Sequence, residues 1–280
     1  MRKRVLAFPL VRLLLIVAFF AVFAAPVVLG AHGSRDIRVA VVLNWVLAGL
    51  LAGTMIAVER VTVGKSLAAI GLGRRNASRD LALGAVLGAG LFTIVVMELA
   101  LSGFYRVTAV HVTRDLALAA LLLLPSAAIE ELLFRGVLFR LVEEWLGTWI
   151  ALAVSAAIFG AAHAANPGAT WVSSLAIALE AGVLLGAAFV VTRNLWFPIG
   201  LHFAWNFFEG PVYGTQVSGR SFLESAVDAR VTGPSLFTGG SFGPEAGLFA
   251  IVTCVIVAVA LLAAASRRSL IVSRTSIKAS

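Results

Sequence analysis

Eight times between residues 13 and 265 the chain runs through an apolar stretch near the length that crosses a bilayer: 13–30, 39–58, 81–102, 116–142, 149–165, 171–192, 195–208 and 246–265. A hydrocarbon core about 30 Å thick takes roughly 20 helical residues to cross, so a chain built this way has lipid as its solvent. Composition agrees. With 60% hydrophobic and 13% charged residues and a mean hydropathy of +1.00, there is too little charge to clothe a water-facing surface. The expected fold is all-α, a polytopic transmembrane helical bundle of about eight spans in an integral membrane protein. Disorder, collagen and a disulfide scaffold are excluded, since apolar runs dominate and Cys254 is the single cysteine. The stretch 195–208 is short, and reads as re-entrant or as a crossing anchored by Trp196 and Tyr213.

Orientation follows from the basic residues in the connections. With the N-terminus inside, one side carries Arg2, Lys3, Arg4, Arg60, Lys65, Arg74, Arg75, Arg79, Arg135, Arg140, Arg193, Arg267, Arg268, Arg274 and Lys278, fifteen in all, and the other carries Arg35, Arg38, Arg106, Arg114, Arg220 and Arg230. Arg12 fits neither set. Both termini are therefore expected in the cytoplasm, and the Gly-rich connection 209–245 outside. The formal charge of +8 reads as topology and affinity for anionic lipid, with no nucleic-acid partner. The first stretch follows Met1-Arg2-Lys3-Arg4 and ends in small residues, the pattern of a span or of a cleaved signal peptide. We divide the chain into N-terminal spans (1–115), a helical core with the candidate site (116–219), and an outer loop, last span and basic tail (220–280).

Ionisable groups inside lipid cost at least about 2.5–3.5 kcal/mol each unless partnered, so they mark function or tight pairing. Glu98, Glu130, Glu131, His163, Glu180 and His202 qualify, with Arg135 and Asn206 each one turn from one of them. Glu98 sits at the outer end of its span and reads as solvated, as do His32 and His111 in outer connections. Adjacent helical positions point about 100° apart, whereas i and i+4 share a face. Glu131 and Arg135 can thus form an internal ion pair, leaving Glu130 to project into the bundle. Glu180 reads either as a partner orienting a histidine or as a buried neutral acid.

Depth brings three of these groups together. Gly147 is the expected turn between the fourth and fifth spans, with Glu130 17 residues before it and His163 16 after it, each about 24–26 Å along its helix. The stretch 135–144 is polar enough to protrude from the membrane, which puts that level about 10 Å inside it, and His202, seven residues past Leu195, enters about 10 Å from the same side. A carboxylate and two imidazoles at one level can activate water, the carboxylate taking a proton while the imidazoles orient the water, bind metal or polarise a carbonyl.

On these residues the sequence resembles the CPBP family, the CAAX-processing and Abi intramembrane endopeptidases. That family carries E-E-x-x-x-R, F-x-x-x-H and H-x-x-x-N/D on successive helices, matched by Glu130-Glu131 with Arg135, Phe159 with His163, and His202 with Asn206. The resemblance covers roughly 116–219, and the stretch 192–200 before His202 is similar to the bacterial branch, which implies a bacterial cytoplasmic membrane. It further implies peptide-bond hydrolysis on a membrane protein or peptide substrate, with Glu130 and His163 activating water and His202 and Asn206 stabilising the oxyanion. Glu130, His163 and His202 would suit Zn2+ or another divalent metal with an open position. Glu130 as a metal-free general base is the alternative.

Other hydrolase designs are missing: neither His163 nor His202 is followed by Glu, and Asp36, Asp80, Asp115 and Asp228 lie outside or at the ends of spans. A non-proteolytic membrane scaffold on the same fold, or a proton-coupled transporter using the buried acids, remains as an alternative function. A reporter fused after Ser280 is expected to register as cytoplasmic and one inserted near Gly233 as external. Opposite signals would overturn the assigned orientation.

Overall fold

The computed structural model describes residues 2–31, 36–111, 113, 115–221 and 224–273. His32, Arg35, Arg114, Arg274 and Lys278, used above for topology, lie outside the described residues, as do the side chains of Arg2, Lys3 and Arg4. The chain runs through a short helix α1 (Arg2–Ala7), then α2 (Pro9–Ala31), α3 (Ile37–Val63) and α4 (Ala77–Leu101). A strand β1 (Tyr105–Val110) follows, then α5 (Asp115–Glu131), which continues through a π-helical stretch, Leu132–Phe139, into α6 (Arg140–Leu146). Next come α7 (Thr148–Ala162) and α8 (Trp171–Ile177), joined by a second π-helical stretch, Ala178–Gly182, to α9 (Val183–Thr192). The chain closes with α10 (Trp196–Phe207), strand β2 (Val227–Val231), the single turn α11 (Ser235–Thr238) and α12 (Leu248–Arg267).

Among the described residues seven helices are long and apolar enough to cross a membrane, so the polytopic helical bundle stands, one full-length span short of the expected eight. The shortfall is the stretch around α10. This helix needs no spanning length because it is sheathed by protein: a Cβ on Gly84, Gly88 or Gly200 would come within 2.0–2.2 Å of a backbone carbonyl oxygen across the α4–α10 contact. Small residues let the two backbones touch. Trp196 and Tyr213 serve this packing rather than an interface with lipid, Trp196 Nε1 donating to Gly73 O at 2.8 Å and Tyr213 OH lying 3.0 Å from Thr93 Oγ1. Side chains facing outward are large and apolar, as lipid solvent allows: Val86 is 72% exposed and Leu101 86%.

Gly147, at φ 87°, makes the turn between α6 and α7, a conformation open to glycine. At this end of the bundle two chains of buried ions tie the helices. Arg12 on α2 binds Glu59 on α3 at 2.7 Å and also pairs with Glu144; Arg140 binds Glu59 at 2.8 Å and Glu144 at 3.0 Å. Arg193 binds Glu143 at 2.6 Å. Arg12, which the charge pattern left unassigned, is thus a structural cation. Arg135 and Arg140 leave the topology count for the same reason, both being buried and paired, and the remaining excess keeps its sign.

The opposite end departs from the expected loose loop. β1 pairs antiparallel with β2, His111 pairs with Asp228 at 2.9 Å, and within 209–245 the carboxyls of Glu209 and Glu245 are buried. Glu98 is half-buried and accepts from Thr253 Oγ1 at 3.4 Å, so it too is partnered. Gly200→Val is expected to destabilise the bundle by about 1–3 kcal/mol or more, because the close backbone approach leaves no room to relax. Gly90→Ala, with nothing within 4 Å of its added carbon, is the silent control. Thermal unfolding of detergent-solubilised protein compares the two.

Candidate functional site

The site grows out of the π-helical stretch that follows Glu131. There the Arg140 N–H reaches back five residues to Arg135 O, a local widening that often accompanies functional positions in helices. On this helix Glu131 and Arg135 form the i, i+4 pair at 2.8 Å, both side chains 0% exposed. Two charges buried together need further hydrogen bonds to offset desolvation, and both have them. Arg135 Nη2 donates to Ala181 O at 3.1 Å and Gly182 O at 3.2 Å, where the second π-helical stretch ends. Its guanidinium carbon lies 4.6 Å from the centroid of the Phe159 ring. Glu131 Oε1 is also 2.9 Å from His202 Nδ1; a carboxylate accepts, so Nδ1–H donates.

His163 is fixed in the same way. It closes α7, and its Nδ1 is 2.8 Å from Phe159 O; a carbonyl can only accept, so the proton sits on Nδ1. Both imidazoles therefore turn Nε2 toward one atom, Glu130 Oε2, at 4.0 Å for His163 and 3.9 Å for His202. That oxygen is buried and has no hydrogen-bond partner; Glu131 Oε2 has none either, but Glu131 is held on Oε1 by Arg135 and His202. Phe159 packs beside all of this, its ring centroid 4.7 Å from that of His163 and 6.1 Å from that of His202.

Glu130, His163, His202 and Asn206 line a cavity of about 780 Å³. Glu180 lines it as well but has no hydrogen bond to either histidine among the described residues; its carboxyl meets the Cys254 thiol instead. The cavity reaches Asn166, Ser218, Arg220 and Glu245, residues on connections at the end of the bundle opposite Gly147. No periodicity or motif singles these out, since chain folding alone brings 217–221 and 245 under the helices. Burial holds the Glu245 carboxyl above the ordinary carboxylate range, with the hydrogen bonds from Glu209 and Ser218 opposing.

The donor set of Glu130, His163 and His202 suits zinc in kind. Its spacing does not. Two ligands of tetrahedral zinc at bonds of 2.0–2.1 Å stand about 3.3 Å apart, against the 3.9 and 4.0 Å found here, and among the described residues no group of three His, Cys, Asp or Glu could hold a metal ion. The separations also exceed a direct hydrogen bond. A water molecule hydrogen-bonded to the carboxylate and an imidazole is the species they admit.

Arg135→Ala is expected to lose folded protein, because stripping one partner from a buried pair costs about 3–5 kcal/mol. An apolar replacement of both Glu131 and Arg135 should regain yield in the membrane, while His202 loses the acceptor that orients it. A double variant no better folded than Arg135→Ala would count against the pair as the stabilising unit.

Residues 112–208 match the family model described as type II CAAX prenyl endopeptidase, Rce1-like. No curated protein matches the chain, and no solved structure does. The family is one of membrane-embedded hydrolases that act on membrane-associated proteins, in keeping with the seven apolar helices of an integral membrane protein. Through this segment, which holds Glu130, His163, His202 and Asn206, the chain is similar to the Rce1-like type II CAAX prenyl endopeptidases.

Proposed function

We propose that the protein hydrolyses a peptide bond of a lipidated membrane protein, using Glu130 as the general base on a water molecule. The observation that carries this reading is the buried, unpartnered Glu130 Oε2 faced by two imidazole Nε2 atoms at 3.9 and 4.0 Å in the wall of a large cavity. An unpaired carboxylate oxygen in that setting has a strong demand for a hydrogen-bond donor, and water supplies it. Water gives its proton to Glu130 while its oxygen bonds to the scissile carbonyl carbon, and His163 Nε2 holds the water in line. The carbonyl oxygen becomes an oxyanion. We assign His202, held on Nδ1 by Glu131, and the Asn206 amide the task of stabilising that oxygen. Glu130 then returns the proton to the leaving amine as the carbon–nitrogen bond breaks.

We assign Glu131 and Arg135 the holding of His202, and Phe159 the holding of His163 through its carbonyl oxygen. No step passes through a metal, so activity is expected to survive strong chelators. Lipidated substrates follow from the family's prenyl endopeptidase description. The bacterial cytoplasmic membrane, with both termini inside, is the location the basic residues and the stretch 192–200 support.

Glu130→Gln keeps shape and removes the base, so cleavage of a prenylated reporter peptide in proteoliposomes should fall to background while the protein stays monodisperse. Asn206→Ala should lower the rate roughly 10²- to 10³-fold by loss of an oxyanion donor. Undiminished cleavage by Glu130→Gln would overturn the reading.

A further inference from the structure

The cavity that holds Glu130 is open at one end of the bundle and shut at the other. Its polar wall comes from connections away from Gly147: Asn166 follows α7, Ser218 and Ser221 lie between α10 and β2, and Glu245 precedes α12. Ser221 is exposed and so stands at the mouth. None of the lining residues comes from the connections at the Gly147 end, 64–76, 147 and 193–195. Toward that end the helices meet in buried apolar side chains, Val137, Phe139, Leu152 and Phe189, with the Phe139 and Phe189 rings 5.6 Å apart. Beyond this plug the ion clamp of Arg12, Glu59, Arg140 and Glu144 closes the bundle. Hydrolysis consumes one water for each bond cut, and water passes a polar wall more readily than an apolar plug.

The site also stands nearer the open end than the depth count placed it. The stretch 135–144 is packed into the bundle, Arg140 and Glu143 being buried and ion-paired, so its charges give no reason to set it in water. α7 runs 15 residues from Thr148, about 22 Å, before His163 closes it, which puts that imidazole at the far end of its helix. Exposed indoles mark the two membrane interfaces: Trp145 and Trp149 flank Gly147, and Trp171 opens α8 in the next helix after His163.

Charge distinguishes the two faces. Among the described residues the connections and helix ends on the Gly147 side carry eight Lys or Arg, of which Arg60, Arg74, Arg75, Arg79, Arg267 and Arg268 are exposed. The cavity side carries four, Arg38, Arg106, Arg220 and Arg230. Cationic connections stay in the cytoplasm, so the shut end is the inner one.

We propose that the catalytic cavity opens on the outer face of the membrane, so that the substrate is an exported polypeptide held in the outer leaflet by its lipid anchor. This deepens the proteolytic reading and rests on it. The chain to be cut enters past Ser221 and Asn166, and the plug and the clamp keep polypeptides of the cytoplasm from Glu130.

The full-length protein is produced in bacterial cells, from which intact spheroplasts and sealed inverted vesicles expose opposite faces. A charged, membrane-impermeant maleimide should label Ser221→Cys in spheroplasts and lose that labelling in inverted vesicles, with Arg75→Cys, exposed at the other end, giving the reverse. The wild type, whose Cys254 is buried, sets the background, and comparing sides within each variant removes any dependence on folded yield. A lipidated peptide with a charged, impermeant chain should be cut when added to spheroplasts carrying the wild type, and not when they carry Glu130→Gln. Given to inverted vesicles, it should be cut only after detergent opens them. Labelling of Ser221→Cys only in inverted vesicles, or cleavage by unopened inverted vesicles, overturns the proposal. Outward labelling of Ser221→Cys without cleavage on either side, detergent included, supports the outward opening and overturns the protease reading alone.

Discussion

A single carboxylate oxygen, Glu131 Oε1, binds Arg135 at 2.8 Å and His202 at 2.9 Å, and the rest of the site is arranged around that shared atom. In a low-dielectric interior neither the carboxylate nor the guanidinium is tolerable alone, so each recruits neighbours. Arg135 reaches the carbonyls of Ala181 and Gly182 and lies over Phe159; Glu131 reaches α10. One ion pair thereby fixes the relative positions of four helical segments. The elements that carry Glu130, His163 and His202 are those that the buried charges already require to be in contact.

This explains why two adjacent acids do different work. Consecutive helical residues diverge by about 100°, so the chain can bury one carboxylate in an ion pair and leave the other at the cavity wall. Glu131 is fully buried and held through Oε1 by Arg135 and His202; the Glu130 side chain is 31% exposed and makes no such pair, with the two imidazole Nε2 atoms 3.9 and 4.0 Å away. The imidazoles repeat the division on one ring each, with Nδ1 engaged by a fixed acceptor and Nε2 free for the reacting groups. Positioning and chemistry are thus carried by different atoms of neighbouring groups.

The two ends of the bundle are built on different principles. At the Gly147 end, Arg12, Glu59, Arg140 and Glu144 clamp the first helices to the core, and Glu143 with Arg193 clamps the core to itself. At the other end hydrogen-bonded turns, a two-stranded sheet and the buried Glu245 shape the far wall of the cavity. The ion-clamped end resists movement by many charge contacts. The opposite end makes the cavity wall from backbone and a few polar side chains.

How far the primary structure could be read follows from which interactions are local. Hydropathy and length gave the helical bundle, and the i, i+4 rule paired Glu131 with Arg135, because spans and helix faces depend on residues a few positions apart. Equal spacing from Gly147 put Glu130 and His163 at one level for the same reason. The role of Arg12, the protein sheath that relieves α10 of crossing length, the grip of Glu131 on His202 and the approach of Arg220 and Glu245 to the cavity were illegible. Each joins residues separated by about 27 to 132 positions, and no periodicity encodes which distant side chains will meet. Local chemistry singled out the candidate groups, while long-range packing chose the atoms that hold them and the wall that faces them, since only the folded chain brings those partners within hydrogen-bonding distance.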